Sequence, residues 1–395
     1  MPKSNIRRTE MKLLLNKKEF LSSWALAERS AGASSTVSAL NNIMLTATED
    51  TLWLKATDVK TSIICRASGV IVQEGGEVLF PVKMVSELFK KIDTEEFTLE
   101  ERNGKIRLLA EKSKYSFPCY PAKEFPALKT SEGAGFFAKM TAVEFSKVLE
   151  EGGICASTQE EYPLYISSVL LKTDTNGTAE AVSTDSRRIA ISKEVTVASP
   201  ETEKSALLPM KSVKDLLRIL QSVSAETEIE MFDDEAQFYF KTDKLEYSIR
   251  KVDAKFPSYE RIIPQEYSKT VICDRLDLIG ALERVDVVVR DFTKTAILQV
   301  SPEEQKLTLR GKAPDFGVAK EELPAQVEGE GLTIGLNSKF FLEALRVIRE
   351  EKVMLQFNGS GDKIAVKREA TGTFLCLIAP INLTEEDLAT SEEDE

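Results

Sequence analysis

Histidine is absent from all 395 residues. That removes the commonest general base and the commonest ligand of zinc and iron. Cysteine is sparse, and Cys65, Cys119, Cys155, Cys273 and Cys376 are scattered and odd in number. No Cys-x-x-Cys pair spells out a metal site or a disulfide framework, so a reducing cytoplasm is expected. The Asn-x-Ser/Thr triplets at Asn176, Asn358 and Asn382 then read as turns and not as glycan sites. No apolar run approaches the length that spans a membrane. The basic opening MPKSNIRRTEMKLLL carries too short an apolar patch for a secretory signal. Base-reading modules are missing too, and no aromatic platform lies among the charges.

What is present begins with length. A chain of this size exceeds one ordinary core and implies two or three domains, and its 42% apolar content is that of a soluble globular protein. The net charge of −12 looks wrong for a partner of nucleic acid, but seven of the acids sit in Thr384–Glu395, which holds no base. Such a tail is expected to be disordered and solvated.

The segment Pro81–Lys91 recurs twice more, each time 128 residues later. Val85, Leu88, Phe89 and Ile92 become Val213, Leu216, Leu217 and Leu220, then Phe341, Ala344, Leu345 and Ile348. This i, i+3, i+4, i+7 stripe predicts three equivalent amphipathic helices. A second helix repeats as well: Phe20 and Trp24 correspond to Phe145 and Leu149, then to Leu278 and Leu282. Alternating strand-like segments follow each helix, and Asn103-Gly104 and Asn358-Gly359 are hairpin-turn signals within them. The chain therefore reads as α+β, with three tandem copies of one domain, each holding two helices and antiparallel sheets. Copies this large can each hold a core, unlike the repeats of a solenoid. The expected limits are an N-terminal extension over 1–10, domains over 11–132, 133–264 and 265–383, and the acidic tail over 384–395.

Packing explains the apolar repeats but not the basic ones. Lys83 and Lys90 become Lys211 and Arg218, then Lys339 and Arg346, with Glu87, Asp215 and Glu343 between them. Solvated lysines paired with these acids are the plain reading for any single helix. Persistence across three copies favours equivalent helices set against one polyanion. With no base-reading element, contact with DNA would be through phosphates, hence sequence-independent and salt-sensitive.

Here a resemblance enters. The strings LKATDVKTSI, VSTDSRRIAIS, KFPSYERIIP and FLCLIAPINL, in this order and at these separations, resemble those of bacterial sliding clamps, the β subunits of the replicative DNA polymerase. The likeness runs from Met11 to about Leu383. It implies three clamp-type domains per protomer and a head-to-tail homodimeric ring around duplex DNA, with no catalytic residue, metal or cofactor. It further implies the polymerase catalytic subunit, the clamp loader and other clamp-motif proteins as partners, and no membrane. Partner peptides would enter a pocket formed by Ile166, Thr184, Arg188, Ile189, Pro257, Arg261, Ile262, Leu377, Ala379, Pro380 and Ile381, with Arg188 and Arg261 at a polar rim. The family's Gly-His-Arg-Leu stretch is Ser186-Arg187-Arg188-Ile189 here, and its methionines near the C-terminal proline are Ala379 and Ile381. A family loop arginine is replaced within Ser34–Leu40. For the protomer interface the resemblance points to Tyr115 and Phe117 on an edge strand, meeting Val287 and Val288 after the first helix of the third domain.

Two other readings stay open at this level. An enzyme would need a constellation, yet Asp233-Asp234-Glu235, Gly359-Ser360-Gly361, Asp58 and Asp185 all read as turns. A protein-scaffolding repeat without DNA contact would suit the acidic total charge.

Overall fold

The computed structural model describes residues 11–32, 36–313, 317–369 and 372–388. Six long helices alternate with strands: α1 (Lys17–Glu28), α2 (Val82–Lys91), α3 (Ala142–Gly152), α4 (Met210–Leu220), α5 (Arg275–Val289) and α6 (Ser338–Val347). Each of the three copies opens with a strand and its first helix, continues with strands, and closes with the second helix and three more strands. Short polar side chains start several of these helices. Asn16, Asp274 and Asn337 each accept a hydrogen bond from the backbone N–H three residues on, at 3.2, 2.9 and 3.2 Å.

All described strand pairs are antiparallel, and they build four sheets within two compact units. The first unit takes the described residues of Met1–Ala142 and Arg218–Lys251, the second those of Val143–Leu217 and Val252–Glu395. In the first, a five-stranded sheet runs Val70–Glu74, Lys12–Asn16, Glu96–Arg102, Lys105–Ala110, Ser113–Pro118. An eight-stranded sheet joins four strands of the middle copy to four of the first, through the seam of Leu245–Arg250 against Thr61–Arg66. The second unit repeats the device: a nine-stranded sheet joins middle and third copies where Arg188–Val195 pairs with Phe374–Ile378, and a four-stranded sheet ends on Gly317–Pro324. The middle copy thus shares its strands out between the two units.

The first unit is centred on aromatic packing between α1 and α2. Phe20 and Phe89 meet edge to face at 5.7 Å, and Trp24 meets Phe80 at 5.5 Å. Trp24 is fully buried, so its indole N–H needs an acceptor, which Ser86 Oγ supplies at 2.9 Å. In the second unit α5 lies on the four-stranded sheet at Gly311, where an added Cβ would come within 2.7 Å of Val289.

The two hairpin signals part ways. Asn103 and Gly104 are both left-handed, with φ of 55° and 70°, and form the two-residue turn expected of Asn-Gly. Asn358-Gly359 instead lies in a longer loop between Lys352–Phe357 and Ile364–Arg368. Its asparagine is taken up elsewhere, accepting from Ser268 N at 2.9 Å and donating to Glu266 O at 3.1 Å.

The extension over 1–10 lies outside the described residues, as do Ser34, Ser35 and residues 389–395. The acidic tail begins within the described residues. Glu385–Leu388 forms a helical turn because Thr384 and Asp387 cap one another: Thr384 N donates to Asp387 Oδ2 at 2.9 Å and Asp387 N to Thr384 Oγ1 at 3.3 Å.

Candidate functional site

The second helix of every copy presents the same two faces. Val85, Phe89 and Ile92, Val213, Leu216 and Leu220, and Phe341, Ala344, Leu345 and Ile348 are buried, while Leu88 and Leu217 are only half-buried. Opposite them, Lys83, Lys90, Lys211, Arg218, Lys339 and Arg346 are all exposed. In each helix the two cations stand seven residues apart with an acid at the intervening i+4 position, so all three share one stripe. On α6 the two cations differ: Lys339 Nζ lies 4.0 Å from Glu343 Oε1, at the outer limit of an ion pair, whereas Arg346 Nη2 reaches Glu283 Oε1 of α5 at 2.7 Å. A cleft of about 760 Å³ opens between α5 and α6, with Arg187, Arg290, Lys294, Lys339 and Arg346 among its lining residues and Glu283, Asp286 and Glu343 beside them.

The Thr-Asp turns are structural. Asp185 Oδ1 accepts from Arg187 N and Arg188 N, both at 3.0 Å, while Thr184 Oγ1 donates to Arg188 O at 2.7 Å. Asp58 does the same for Lys60 N at 3.0 Å and Thr61 N at 2.7 Å, and Thr57 Oγ1 donates to Thr61 O at 2.7 Å. Both turns place the following residue, Val59 or Ser186, in the left-handed region, with φ of 75° and 73°. Asp234 likewise accepts from Ala236 N and Gln237 N at 2.8 and 2.7 Å. The carboxylates that offered the strongest case for catalysis are turn-formers.

Arg188 departs from the rim position expected of it. The residue is buried, with its Nε on Asp185 Oδ2 at 2.9 Å, its Nη1 2.6 Å from Glu343 Oε2, and its guanidinium 4.1 Å from the Phe340 ring centre. A buried guanidinium needs such partners, and they come from α6 and the turn, not from solvent. Ile189 and Leu377 face one another across the seam between the middle and third copies and sit in a closed cluster with Val182, Ile191, Tyr259 and Ala365. Pro257, Arg261 and Ile262 are exposed, the last at 43%. Ile166, Thr184, Ala379, Pro380 and Ile381 are half-buried. The segment after the seam strand is fixed by Ala379 N donating to Arg187 O at 2.9 Å and Ile381 N to Gly335 O at 2.8 Å. Ile166 and Arg188 share a cleft of about 540 Å³ with Lys214, Lys339 and Phe340.

Of the interface residues, Tyr115 and Phe117 are half-buried on Ser113–Pro118, the outermost strand of the five-stranded sheet. Val287 and Val288 lie within α5, not after it. The helix runs on to Val289 because Leu278, Leu282, Val285 and Val289 keep one face buried in spite of three β-branched residues in a row. Val287 points away from that face and is 62% exposed.

Sequence reasoning missed a buried ionic cluster. Arg368 and Glu151 form an ion pair with both side chains 2% exposed, Ser192 Oγ donates to Glu151 at 2.7 Å, and Arg368 Nη1 donates to Thr373 Oγ1 at 2.9 Å. Burial pushes the Glu151 carboxyl above its ordinary value, with Ser192 and Arg368 working against it. No local pattern signals a pair so far apart in sequence. Lys214, one turn after Lys211, is exposed as well and lines the cleft with Ile166 and Arg188.

Comparison with known proteins accounts for this architecture. Family models described as the N-terminal, central and C-terminal domains of the DNA polymerase III beta subunit match residues 11–129, 139–258 and 260–382. A protein named beta sliding clamp from Synechococcus elongatus is 26% identical over 378 residues, covering 94% of this chain and all of that one. The sliding clamp of Bacillus subtilis has a similar fold, with a TM-score of 0.88 at 21% identity, covering 95% of this chain and all of its own. The Thermotoga maritima DNA polymerase III beta subunit gives 0.84 at 23%, with the same coverage. With three consecutive domain models laid along nearly its whole length, the chain belongs to the DNA polymerase III beta subunit family.

Proposed function

We infer that this protein is a DNA sliding clamp, a processivity factor that encircles duplex DNA as a head-to-tail homodimeric ring and tethers the replicative polymerase. Membership of the family carries the conclusion, and the repeated helix stripe supplies its physical sense. Three equivalent helices each expose two cations and bury their opposite face, which suits phosphate contact without base reading. The scaffold reading leaves that stripe without a purpose.

The finer assignments are our proposals. Lys83, Lys90, Lys211, Arg218, Lys339 and Arg346 face the DNA. Tyr115 and Phe117 meet Val287 and Val288 of the second protomer, and the outer edge of Ser113–Pro118, which pairs with no other strand among the described residues, supports this, since an apolar edge strand left open invites aggregation. Polymerase, loader and other client peptides bind over the floor of Ile189 and Leu377, with Arg188 beneath and Ile166, Thr184, Pro257, Arg261, Ile262, Ala379, Pro380 and Ile381 around them. The domains span 11–132, 133–264 and 265–383, and the protein performs no catalysis. Five free cysteines support a cytoplasmic location, and no helix among the described residues is long and apolar enough to cross a membrane.

Reversing the charge of the six helix residues is expected to abolish retention on loaded circular DNA while leaving the dimer intact; unchanged retention sinks the assignment. A charged residue at Ile262, which is exposed and so tolerant of the change, is expected to remove binding of clamp-motif peptides in calorimetry. Undiminished binding contradicts the pocket.

A further inference from the structure

The acid within each basic stripe is an apparent flaw. A carboxylate four residues from a lysine on a helix is placed to capture it, and a captured lysine is a poor phosphate ligand. On α6 the capture is incomplete. Glu343 Oε1 stands 4.0 Å from Lys339 Nζ, at the outer limit of an ion pair, whereas Glu343 Oε2 lies 2.6 Å from Arg188 Nη1. Lys339 keeps 73% of its side-chain surface exposed; Arg188 keeps 7%.

The arginine has little freedom to do otherwise. The Thr184-Asp185 turn fixes the Asp185 carboxylate through two backbone N–H groups, and Asp185 Oδ2 in turn holds Arg188 Nε at 2.9 Å. Phe340, the neighbour of Lys339, lies against the guanidinium at 4.1 Å. The planar fork then leaves its Nη1 2.6 Å from Glu343 Oε2 of α6, a close charge contact without hydrogen-bond alignment. A rigid turn in the middle copy therefore dictates where an acid of the third copy points.

We propose that Arg188 is a positioning residue for the DNA-facing helix: it draws Glu343 aside so that Lys339 remains available to phosphate. The proposal rests on the reading of Lys339 as a DNA contact. It gives Arg188 a role that touches neither DNA nor a client peptide. Its loss frees Glu343 to swing onto Lys339, and the protein forfeits a phosphate contact at a residue it has not changed.

The test is a double-mutant cycle read by fluorescence anisotropy, with the full chain titrated onto a labelled linear duplex across a salt series. R188Q is expected to weaken binding about two- to fivefold, the range an exposed lysine–glutamate pair commands, and to lower the salt slope by about 0.9. E343Q is expected to tighten binding by a clearly larger factor in the R188Q background than in the otherwise unaltered protein. Equal factors in both backgrounds mean simple charge addition and overturn the proposal. A second cycle touches only surface residues and so survives any failure of R188Q to fold. K339A is expected to cost the same factor with and without E343Q, because Arg188 already keeps the carboxylate away. A cost about threefold greater in the presence of E343Q shows that Glu343 had captured Lys339 and overturns the proposal. Should K339A cost nothing in any background, it is the DNA reading of Lys339 that fails, a result the cycles keep distinct.

Discussion

Individual side chains show what burial does to chemistry. Cys65 and Cys273 sit in apolar surroundings, and burial pushes each thiol from 9.0 up to about 12. Burial raises Cys155 as well, with Cys376 beside it. At pH 8 a thiol of pKa 12 is ionised to about one part in ten thousand, so it neither attacks disulfides nor oxidises readily. Only Cys119 is partly exposed. Titration of the native protein with a chromogenic disulfide at pH 8 is expected to show one fast thiol, with the other four reacting after denaturation. Two or more fast thiols contradict the burial described here. The sign of the linkage follows: a raised thiol stabilises the fold fully below pH 9, and that contribution is lost as pH rises from about 9 towards 12.

At the scale of elements, the edges of the sheets matter most. The eight- and nine-stranded sheets are each completed by strands of two copies, but among the described residues Ser113–Pro118 and Gly317–Pro324 pair on one side only. α5 lies on the four-stranded sheet that ends on Gly317–Pro324, and it carries Val287 exposed near its C-terminal end. Placing aspartate at Val287 and Val288 is expected to convert the dimer to monomer in sedimentation without loss of helicity, since Val287 is solvent-facing in the protomer. An unaltered dimer removes these residues from the interface. The elements themselves were legible because the 3.6-residue stripe was written three times, and Phe20, Trp24, Phe145, Leu149, Leu278 and Leu282 are all buried as the second repeat requires. What was not legible depended on partners distant in sequence. The end of α5 is set by packing that overrides the β-branched run, and Asn358 abandons a tight turn for the backbone at Glu266 and Ser268. The inward turn of Arg188 is set by Asp185 and Phe340, and it brings the guanidinium to Glu343, which lies far away in sequence. The aliphatic residues assigned to a pocket by resemblance differ in burial, Ile189 and Leu377 buried and Ile262 exposed, which one-dimensional pattern does not report.

For the whole molecule, a net charge of −12 and a DNA-tracking function are compatible because charge is sorted and not averaged. Cations recur on one helix face, while seven acids lie in the last twelve residues. Phosphate-directed contact of this kind is weak and screened by salt, so affinity alone cannot keep a polymerase on its template. A closed ring can, because escape then requires an end of the duplex or the opening of an interface, and neither depends on contact strength. Topology and affinity make opposite forecasts for one measurement: retention of the loaded protein on a nicked circular duplex, before and after the circle is cut once. The account predicts stable retention on the circle even at salt that abolishes binding to linear DNA, and rapid loss on linearisation. Equal release from circle and cut DNA would contradict it.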